Sequence, residues 1–385
     1  MIEKELLMIP GPTPLPPRVV EVMTRPIINH RGPRFKEIFK KAIEDLKELL
    51  NCSGDVFLIP SSGTGAMELA VDNFTSKGDK VIVVANGIFG ERFHQMNVAR
   101  GRNSLSLNIP WGRAAKAEEI EKVLLANPDA KAIFIIHNET SATTINNIKE
   151  LSSKIKEVSN CLIIVDAVSS IGVTEIDMDN WGIDVVVAAS QKGLMSPPGI
   201  GIVAASQRAM EYALQKKSET YYFDVKGWKK NVDLDQTLTT FPVSIFLGLS
   251  EALKMIREEG YKNVYERHIA YRSLVRNSLK ELNFKLLAND QDASPSLTGI
   301  YAPEGINADD IINAMRQRYR VEIASAQGNL KGRVFRISHM GYITSNDLLV
   351  TISALECVLK DLGYNEIELG RGTKKFLELR RKFEV

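Results

Sequence analysis

Short apolar runs recur along the first half of the chain, and they constrain its fold more than any other feature. Each run is four to six residues long and almost entirely apolar, which is typical of a strand buried on both faces. Helical patterns separate the runs, so the strands are expected to be joined by helical crossovers. The sequence therefore predicts an α/β fold with a mostly parallel central sheet and flanking helices. The predicted strands are 56–59, 81–85, 132–136, 161–165, 183–188 and 200–205.

The C-terminal part of the chain has a different pattern. A helical stretch runs from about residue 244 to 282, and Gly260 predicts a break within it. Two helical and two strand patterns then alternate as in a small α+β domain, at 297–301, 308–319, 334–338 and 345–362. A chain of 385 residues also exceeds the usual size of one hydrophobic core. We therefore expect an N-terminal arm at 1–19, a large domain at 20–259 and a small domain at 260–385.

The composition argues against several classes of protein. A formal net charge of +2 gives no electrostatic reason to expect nucleic acid, and the basic stretch 374–382 fits a solvated helix face. No membrane-spanning run is present, and the first residues do not resemble an export signal. Cys52, Cys161 and Cys357 fit neither a metal-ligand spacing nor a disulfide framework, so we expect a reducing compartment, the cytoplasm.

A glycine-rich turn, Ser61-Ser62-Gly63-Thr64-Gly65, follows one predicted strand and opens a predicted helix. Because a helix N-terminus attracts anions, the hydroxyl and backbone N–H groups of this turn could hold a phosphate. A tight turn in which a serine merely caps the helix fits these residues equally well. A nucleotide P-loop does not fit, since no lysine stands at the required position.

Two charged side chains follow predicted strands. Asp166 ends the run at 161–165, and Lys192 comes soon after the run at 183–188. Ligands of open α/β sheets bind beyond the carboxyl ends of the strands, where both side chains could face one pocket. Either residue alone is more often a solvated loop charge. Together they fit pyridoxal phosphate, which needs an amine to form an imine and a carboxylate to keep its pyridine nitrogen protonated.

Several motifs, in order along the chain, resemble those of the class V aminotransferases, especially the serine–pyruvate and alanine–glyoxylate aminotransferases. The resemblance covers nearly the whole chain and is strongest from residue 8 to 250. It implies a fold-type I homodimer that binds pyridoxal 5'-phosphate in the large domain, with the active site near the subunit interface. The motifs are Pro10-Gly11-Pro12-Thr13-Pro14, Ser62-Gly63-Thr64-Gly65, Asn86-Gly87-Ile88-Phe89-Gly90, Asp166-Ala167-Val168-Ser169-Ser170, Ser190-Gln191-Lys192 and Pro197-Pro198-Gly199.

The same resemblance implies roles for single residues around the cofactor. Lys192 would carry it as an imine and Asp166 would pair with the pyridine nitrogen, in agreement with the chemistry of the residues themselves. Phe89 would stack on the ring, although a core phenylalanine is the alternative. Thr140 would donate to the phenolic oxygen, and adjacent Ser141 leaves that register open. The phosphate would be held by Ser62, Gly63 and Thr64, with Gln191 beside it.

Substrate and subunit contacts are implied in the same way. Arg336 would bind the substrate carboxylate with its planar fork, which leaves Arg333 as a surface charge. Thr240 would reach the phosphate of the partner subunit. Two departures from the family pattern are Thr237, where a tyrosine is usual, and Thr143, where many relatives have glycine. His30 and Arg31, in a predicted loop just before Pro33, could line the substrate pocket or only stabilise the loop.

The implied reaction is a ping-pong transfer of an amino group from serine or alanine to pyruvate or glyoxylate, with Lys192 moving the proton. One alternative is a lyase of the same fold, such as a cysteine desulfurase. That enzyme needs a reactive cysteine on a mobile loop and usually a histidine before the lysine, where this chain has Gln191. The other alternative is a regulatory module that binds the cofactor without catalysis, but no DNA-binding extension precedes Met8.

Overall fold

The computed structural model describes residues 5–383, so the first four residues of the predicted arm and the last two of the predicted small domain lie outside the described residues. The strands are β1 (Leu6–Met8), β2 (Asp55–Pro60), β3 (Lys80–Ala85), β4 (Asn103–Asn108), β5 (Ala132–Ile136), β6 (Asn138–Glu139), β7 (Thr144–Ile145), β8 (Leu162–Asp166), β9 (Val185–Ala189), β10 (Ile200–Ala205), β11 (Leu297–Tyr301), β12 (Val321–Ser325) and β13 (Val334–Ser338). The helices are α1 (Pro17–Met23), α2 (Pro33–Leu50), α3 (Gly63–Phe74), α4 (Ile88–Ala99), α5 (Ala117–Leu125), α6 (Ile148–Val158), α7 (Met178–Trp181), α8 (Gln207–Gln215), α9 (Val225–Val232), α10 (Val243–Glu259), α11 (Tyr261–Glu281), α12 (Ala308–Tyr319), α13 (Ser345–Asp361) and α14 (Arg371–Phe383).

A seven-stranded sheet in the order β2-β10-β9-β8-β5-β3-β4 forms the centre of the molecule. All six apolar runs overlap its strands, which confirms the predicted α/β fold with a mostly parallel sheet. β10 is the exception, since it runs antiparallel to both β2 and β9. The seventh strand, β4, was not predicted because this edge strand is partly exposed and its sequence, NSLSLN, has only two apolar residues. The carboxyl ends of β2, β5, β8 and β9 meet at one edge of this sheet.

Both faces of the central sheet are buried. Along β2, Val56 and Leu58 pack on one side with the residues of α2, α5, α6 and α10, while Phe57 and Ile59 pack on the other side with α3, α4 and α8. Each strand residue therefore has an apolar neighbour whichever way it points. This double burial is the reason why the strands read as continuous apolar runs rather than alternating ones.

A second, four-stranded sheet in the order β1-β12-β13-β11 lies in the C-terminal part. β11 and β13 coincide with the two predicted strands, whereas β12 was not predicted. Its first strand comes from the N-terminal arm, because β1 pairs in parallel with β12. Gly260 separates α10 from α11 with a φ of +88°, as its sequence position indicated. The division into an arm and two domains at 19/20 and 259/260 stays a prediction.

Within residues 5–383, no helix has both the length and the apolar character that a membrane crossing requires.

Candidate active site

The predicted lysine and aspartate both lie at the carboxyl edge of the seven-stranded sheet. Asp166 is the last residue of β8, and Lys192 lies three residues beyond the end of the neighbouring parallel strand β9. Asp166 is only 3% exposed, and one carboxylate oxygen accepts a hydrogen bond from the Val168 backbone N–H at 2.8 Å. Strand pairing therefore brings together two groups that are 26 positions apart in the sequence.

Burial shifts the pKa of both groups toward neutrality. Loss of solvent raises the pKa of Asp166 to about 7 and lowers the pKa of Lys192 to about 8. The charge of each opposes the shift of the other, while Arg336 and Arg92 lower the pKa of Lys192 further and Glu139 raises that of Asp166. An amine with a pKa near 8 can lose its proton near neutral pH, as a nucleophile or general base must.

The N-terminal arm covers the lysine. The Lys192 amine donates a hydrogen bond to the carbonyl of Pro10, and the Thr13 hydroxyl donates to the Lys192 carbonyl at 2.9 Å. Gly11 has a φ of +115°, and a Cβ atom there would come within 2.5 Å of the lysine side chain. Only glycine tolerates both constraints. The sequence marked this segment as a family motif but did not predict its contact with Lys192.

The glycine-rich turn forms the N-terminus of α3. Ser62 is the N-cap, and its hydroxyl accepts a hydrogen bond from the Gly65 backbone N–H at 3.3 Å. Ser62 and Thr64 are exposed, while Gly63 is buried, where a Cβ would contact Val168 at 3.0 Å. The turn therefore lies beside the Asp166 loop and combines a serine cap with exposed hydroxyl groups. Its role as a phosphate site stays a prediction.

A buried carboxylate that the sequence reasoning missed connects two parts of the site. Glu139 is fully buried, and one of its oxygens accepts hydrogen bonds from the backbone N–H groups of Phe89 and Gly90 at 3.0 and 3.2 Å. Its other oxygen accepts from the Ser141 hydroxyl at 2.6 Å and the Ser141 N–H at 3.0 Å. Glu139 thus caps α4, which carries the half-buried Phe89. The only sequence signal was an acidic residue next to Thr140.

Arg336 reaches the same region from the four-stranded sheet. It lies in the middle of β13 and is 5% exposed. Its guanidinium donates to the Thr140 carbonyl at 2.8 Å and twice to the Ser325 carbonyl, at 2.6 and 3.1 Å. Burial lowers its pKa to about 10, a shift that the charge of Glu139 opposes. Arg333, three residues earlier, is exposed, as expected for a surface charge.

In the segment after Thr140, Thr143 adopts a left-handed backbone conformation that glycine usually takes. Thr143 has a φ of +56°, which is unusual for a β-branched residue. Its hydroxyl is buried without a hydrogen-bond partner within residues 5–383, and a Cβ on Gly299 would come within 2.8 Å of its side chain. The backbone therefore follows the course that a glycine would take, at a cost in strain.

The other predicted residues are Thr240, Thr237, Arg31 and Gln191. Thr240 is exposed. Thr237 is buried, and its carbonyl accepts a hydrogen bond from Arg31 at 2.9 Å. Arg31 also donates to Gln236, so its guanidinium is engaged there. Gln191, by contrast, adjoins Lys192 and has a buried side-chain oxygen with no partner among residues 5–383.

The chain is similar in sequence and in structure to proteins of one enzyme family. Residues 6–348 match the family described as "Aminotransferase class-V". The chain is 37% identical to the protein named "Soluble hydrogenase, small subunit" of Synechococcus sp., over 97% of each chain. It is 35% identical to the serine–glyoxylate aminotransferase of Methylorubrum extorquens, over 93% of this chain and 91% of that one. The crystal structure of alanine–glyoxylate aminotransferase from Nostoc sp. superposes with a TM-score of 0.89 at 27% identity, covering 93% of this chain and 96% of that one.

Proposed function

Because this chain is a class V aminotransferase by family membership, we propose that it uses pyridoxal phosphate to move the amino group of a small amino acid to a 2-oxo acid. The donors we propose are serine and alanine, and the acceptors are pyruvate and glyoxylate. The names of the relatives support this choice, since one is a serine–glyoxylate and another an alanine–glyoxylate aminotransferase.

The observation that carries the proposal is the pair of the half-buried Lys192 and the buried Asp166. A carboxylate buried to this degree, with its pKa raised to about 7, is costly unless a cation or a hydrogen-bond donor meets it. A protonated pyridine nitrogen would supply that partner. The exposed hydroxyl groups of Ser62 and Thr64 offer hydrogen-bond donors for a phosphate, and Gln191, next to Lys192, has a side-chain oxygen without a partner among residues 5–383. These residues fit pyridoxal phosphate, which when bound supplies an electron sink for charge that develops at the substrate's α carbon.

Lys192 would then act as the proton carrier. Its amine has a pKa near 8, so it can accept a proton from the α carbon and return it at a neighbouring position. Asp166 would hold a proton on the ring nitrogen, because a buried negative charge favours that protonated state. The N-terminal arm covers one side of the Lys192 amine, because the Pro10 carbonyl accepts a hydrogen bond from it.

Arg336 would bind the substrate carboxylate. A guanidinium has five N–H donors, and three of them bond to the Thr140 and Ser325 carbonyls. The other two are free to meet an anion, and no carboxylate of residues 5–383 lies within ion-pair distance of this buried cation. A substrate carboxylate would therefore supply the missing counter-charge.

The experiment that tests the proposal is a donor-by-acceptor activity matrix with the purified protein loaded with pyridoxal phosphate. Serine or alanine paired with glyoxylate or pyruvate should give the highest kcat/KM. A ping-pong mechanism further requires that a donor alone releases one equivalent of oxo acid per site before any acceptor is added. A protein that binds no pyridoxal phosphate, or that transfers no amino group in any pairing, would overturn the proposal.

Two other activities find less support. A desulfurase requires a reactive thiol on a mobile loop. Cys52 and Cys161 are buried, and burial raises the pKa of both thiols, while the partly buried Cys357 lies within helix α13. The hydrogenase name of one relative suggests metal chemistry, yet among residues 5–383 no group of three or more His, Cys, Asp or Glu side chains could hold a metal ion. Nothing in the described part of the chain therefore favours either activity over amino transfer.

We also propose that the protein is a homodimer, in which Thr240 would approach the phosphate turn of the partner subunit. The exposed position of Thr240 supports this assignment. The cytoplasmic location stays a prediction from the cysteine pattern.

A further inference from the structure

Arg92 lies beside the glycine-rich turn, and sequence reasoning assigned it no role. Its guanidinium donates a hydrogen bond to the Thr64 hydroxyl at 3.2 Å, at the N-terminus of α3. The same group stands 4.8 Å from the centre of the Phe89 ring. Phe89 and Arg92 are one turn apart on α4, so they project from the same face of that helix.

We propose that Arg92 is a cofactor-binding residue that supplies the positive charge for the phosphate group of pyridoxal phosphate at the Ser62–Thr64 turn. This inference rests on the proposed function and deepens it. The negative charge of the phosphate would be balanced by a residue of the same chain. That residue lies on α4, whereas the turn begins α3.

The phosphate needs such a cation. A phosphate monoester carries a charge of about −1.5 to −2 at neutral pH. The turn offers only hydroxyl and backbone N–H groups, and a helix N-terminus contributes roughly half a positive charge. Lys192 is engaged with the Pro10 carbonyl and is needed for chemistry, while Arg336 is bound to the Thr140 and Ser325 carbonyls. Among the cations that influence the site, Arg92 alone contacts the turn.

Arg92 is also available for this role. No carboxylate of the described residues forms an ion pair with it. Arg100, at the C-terminal end of the same helix, differs because it pairs with Asp72. It is half-buried, so solvent would screen its attraction to an anion at the turn less than it would for a fully exposed arginine. The hydrogen bonds that Glu139 accepts from the first turn of α4 fix the helix from which Arg92 projects.

A competing explanation is that Arg92 only packs on Phe89 through a cation–π contact. The two explanations differ in what they require of the ligand. A phosphate contact affects pyridoxal phosphate and leaves unphosphorylated pyridoxal unaffected. A contact that only orients Phe89 affects the binding of both compounds equally, because both have the same ring.

The test is to measure the dissociation constants of pyridoxal phosphate and of pyridoxal, by equilibrium dialysis and absorbance, for the wild type and for Arg92→Met. Methionine keeps an apolar stem over Phe89 and removes the charge. We expect the pyridoxal phosphate affinity to fall about 10- to 100-fold, as for the loss of a charged hydrogen bond. The pyridoxal affinity should stay unchanged, and Arg92→Lys should fall between the wild type and the methionine variant.

Arg318→Ala is the matched control, since it removes one positive charge at a surface ion pair with Asp361 on α13 and should alter neither affinity. Equal losses for the two compounds, or no loss for either, would overturn the inference. Should the methionine variant not fold, Arg92→Gln carries the same test. A wild type that takes up neither compound would instead contradict the proposed function, so the two failures can be told apart.

Discussion

The two sheets contribute to the site in different ways. The seven-stranded sheet provides Asp166 and Lys192 at and just beyond its strand ends, whereas the four-stranded sheet provides Arg336 from the middle of β13. Burial moves the pKa of Asp166 and Lys192 to about 7 and 8, close to neutrality. The pKa of Arg336, although equally buried, falls only to about 10, so the guanidinium stays charged.

This difference in pKa suits the two sheets to different tasks in the proposed reaction. Groups whose protonation changes near pH 7 suit proton transfer, and in this chain they lie on one sheet. A group that is charged at every physiological pH suits recognition of an anion, and it comes from the other sheet. The β6–β7 hairpin, which contains Glu139 and bonds to Arg336 through Thr140, connects the two.

Replacing Lys192 should have the largest effect, because it removes the proposed proton carrier. Lys192→Ala should lower kcat by about 10⁴-fold or more, while cofactor binding remains measurable through the phosphate and ring contacts. The measurement is steady-state transamination together with a cofactor-binding titration. Lys262→Ala, at an exposed lysine, should behave as the wild type. Borohydride reduction should also attach the cofactor to the peptide that contains Lys192. Labelling of another lysine would contradict the role proposed for Lys192.

Asp166→Asn should come next, with kcat lower by about 10²- to 10³-fold, since the negative charge beside the ring nitrogen is lost. The same variant should be more stable than the wild type when both lack cofactor. The raised pKa means that the folded wild type binds the extra proton below about pH 7, so its stability falls as pH rises from about 4 to 7.

Urea unfolding at pH 5 and pH 8 would measure this effect. The advantage of Asp166→Asn should be larger at pH 8 and reach about 2–4 kcal/mol there, at about 1.4 kcal/mol per pKa unit. Exposed Glu304→Gln should show no such dependence on pH. A variant that transaminates at the wild-type rate would mean that the ring nitrogen has another partner.

Arg336→Ala tests the contribution of the small sheet. It should lower kcat/KM for amino acids by about 10²- to 10³-fold and leave the spectrum of the bound cofactor intact. Amines without a carboxylate should be affected much less, because they never use the contact. Arg336→Lys should restore little, since a point charge lacks the planar fork. Exposed Arg333→Ala is the matched control. Equal losses for amines and amino acids would assign Arg336 to the fold or the cofactor.

The smallest effect is expected in the segment that connects the two sheets. Thr143→Gly should raise the free energy of unfolding by about 1 kcal/mol, because it relieves the positive φ and removes a buried hydroxyl without a partner. Thr143→Ala is the control, since it removes the hydroxyl but keeps the Cβ that opposes this backbone conformation. If both variants gain stability equally, the hydroxyl is responsible and the backbone is not strained.

The sequence by itself determined six of the seven strands of the central sheet and the two groups of its carboxyl edge. Strands buried on both faces leave continuous apolar runs, and Asp166 and Lys192 stand where two of these runs end. The order of the motifs then identified the family. These are local signals, because each depends on residues that are neighbours in the chain.

Other parts of the site were decided only by the tertiary structure. The pairing of β1 with β12, the contact of Pro10 with Lys192 and the bond between Arg92 and Thr64 each join distant segments. No pattern among neighbouring residues of the sequence predicts such contacts. The cap that Glu139 forms on α4 was hidden for the same reason, since its partners lie some fifty positions earlier in the chain. Burial and charge at these positions depend on which segments meet, and the three-dimensional packing alone sets that.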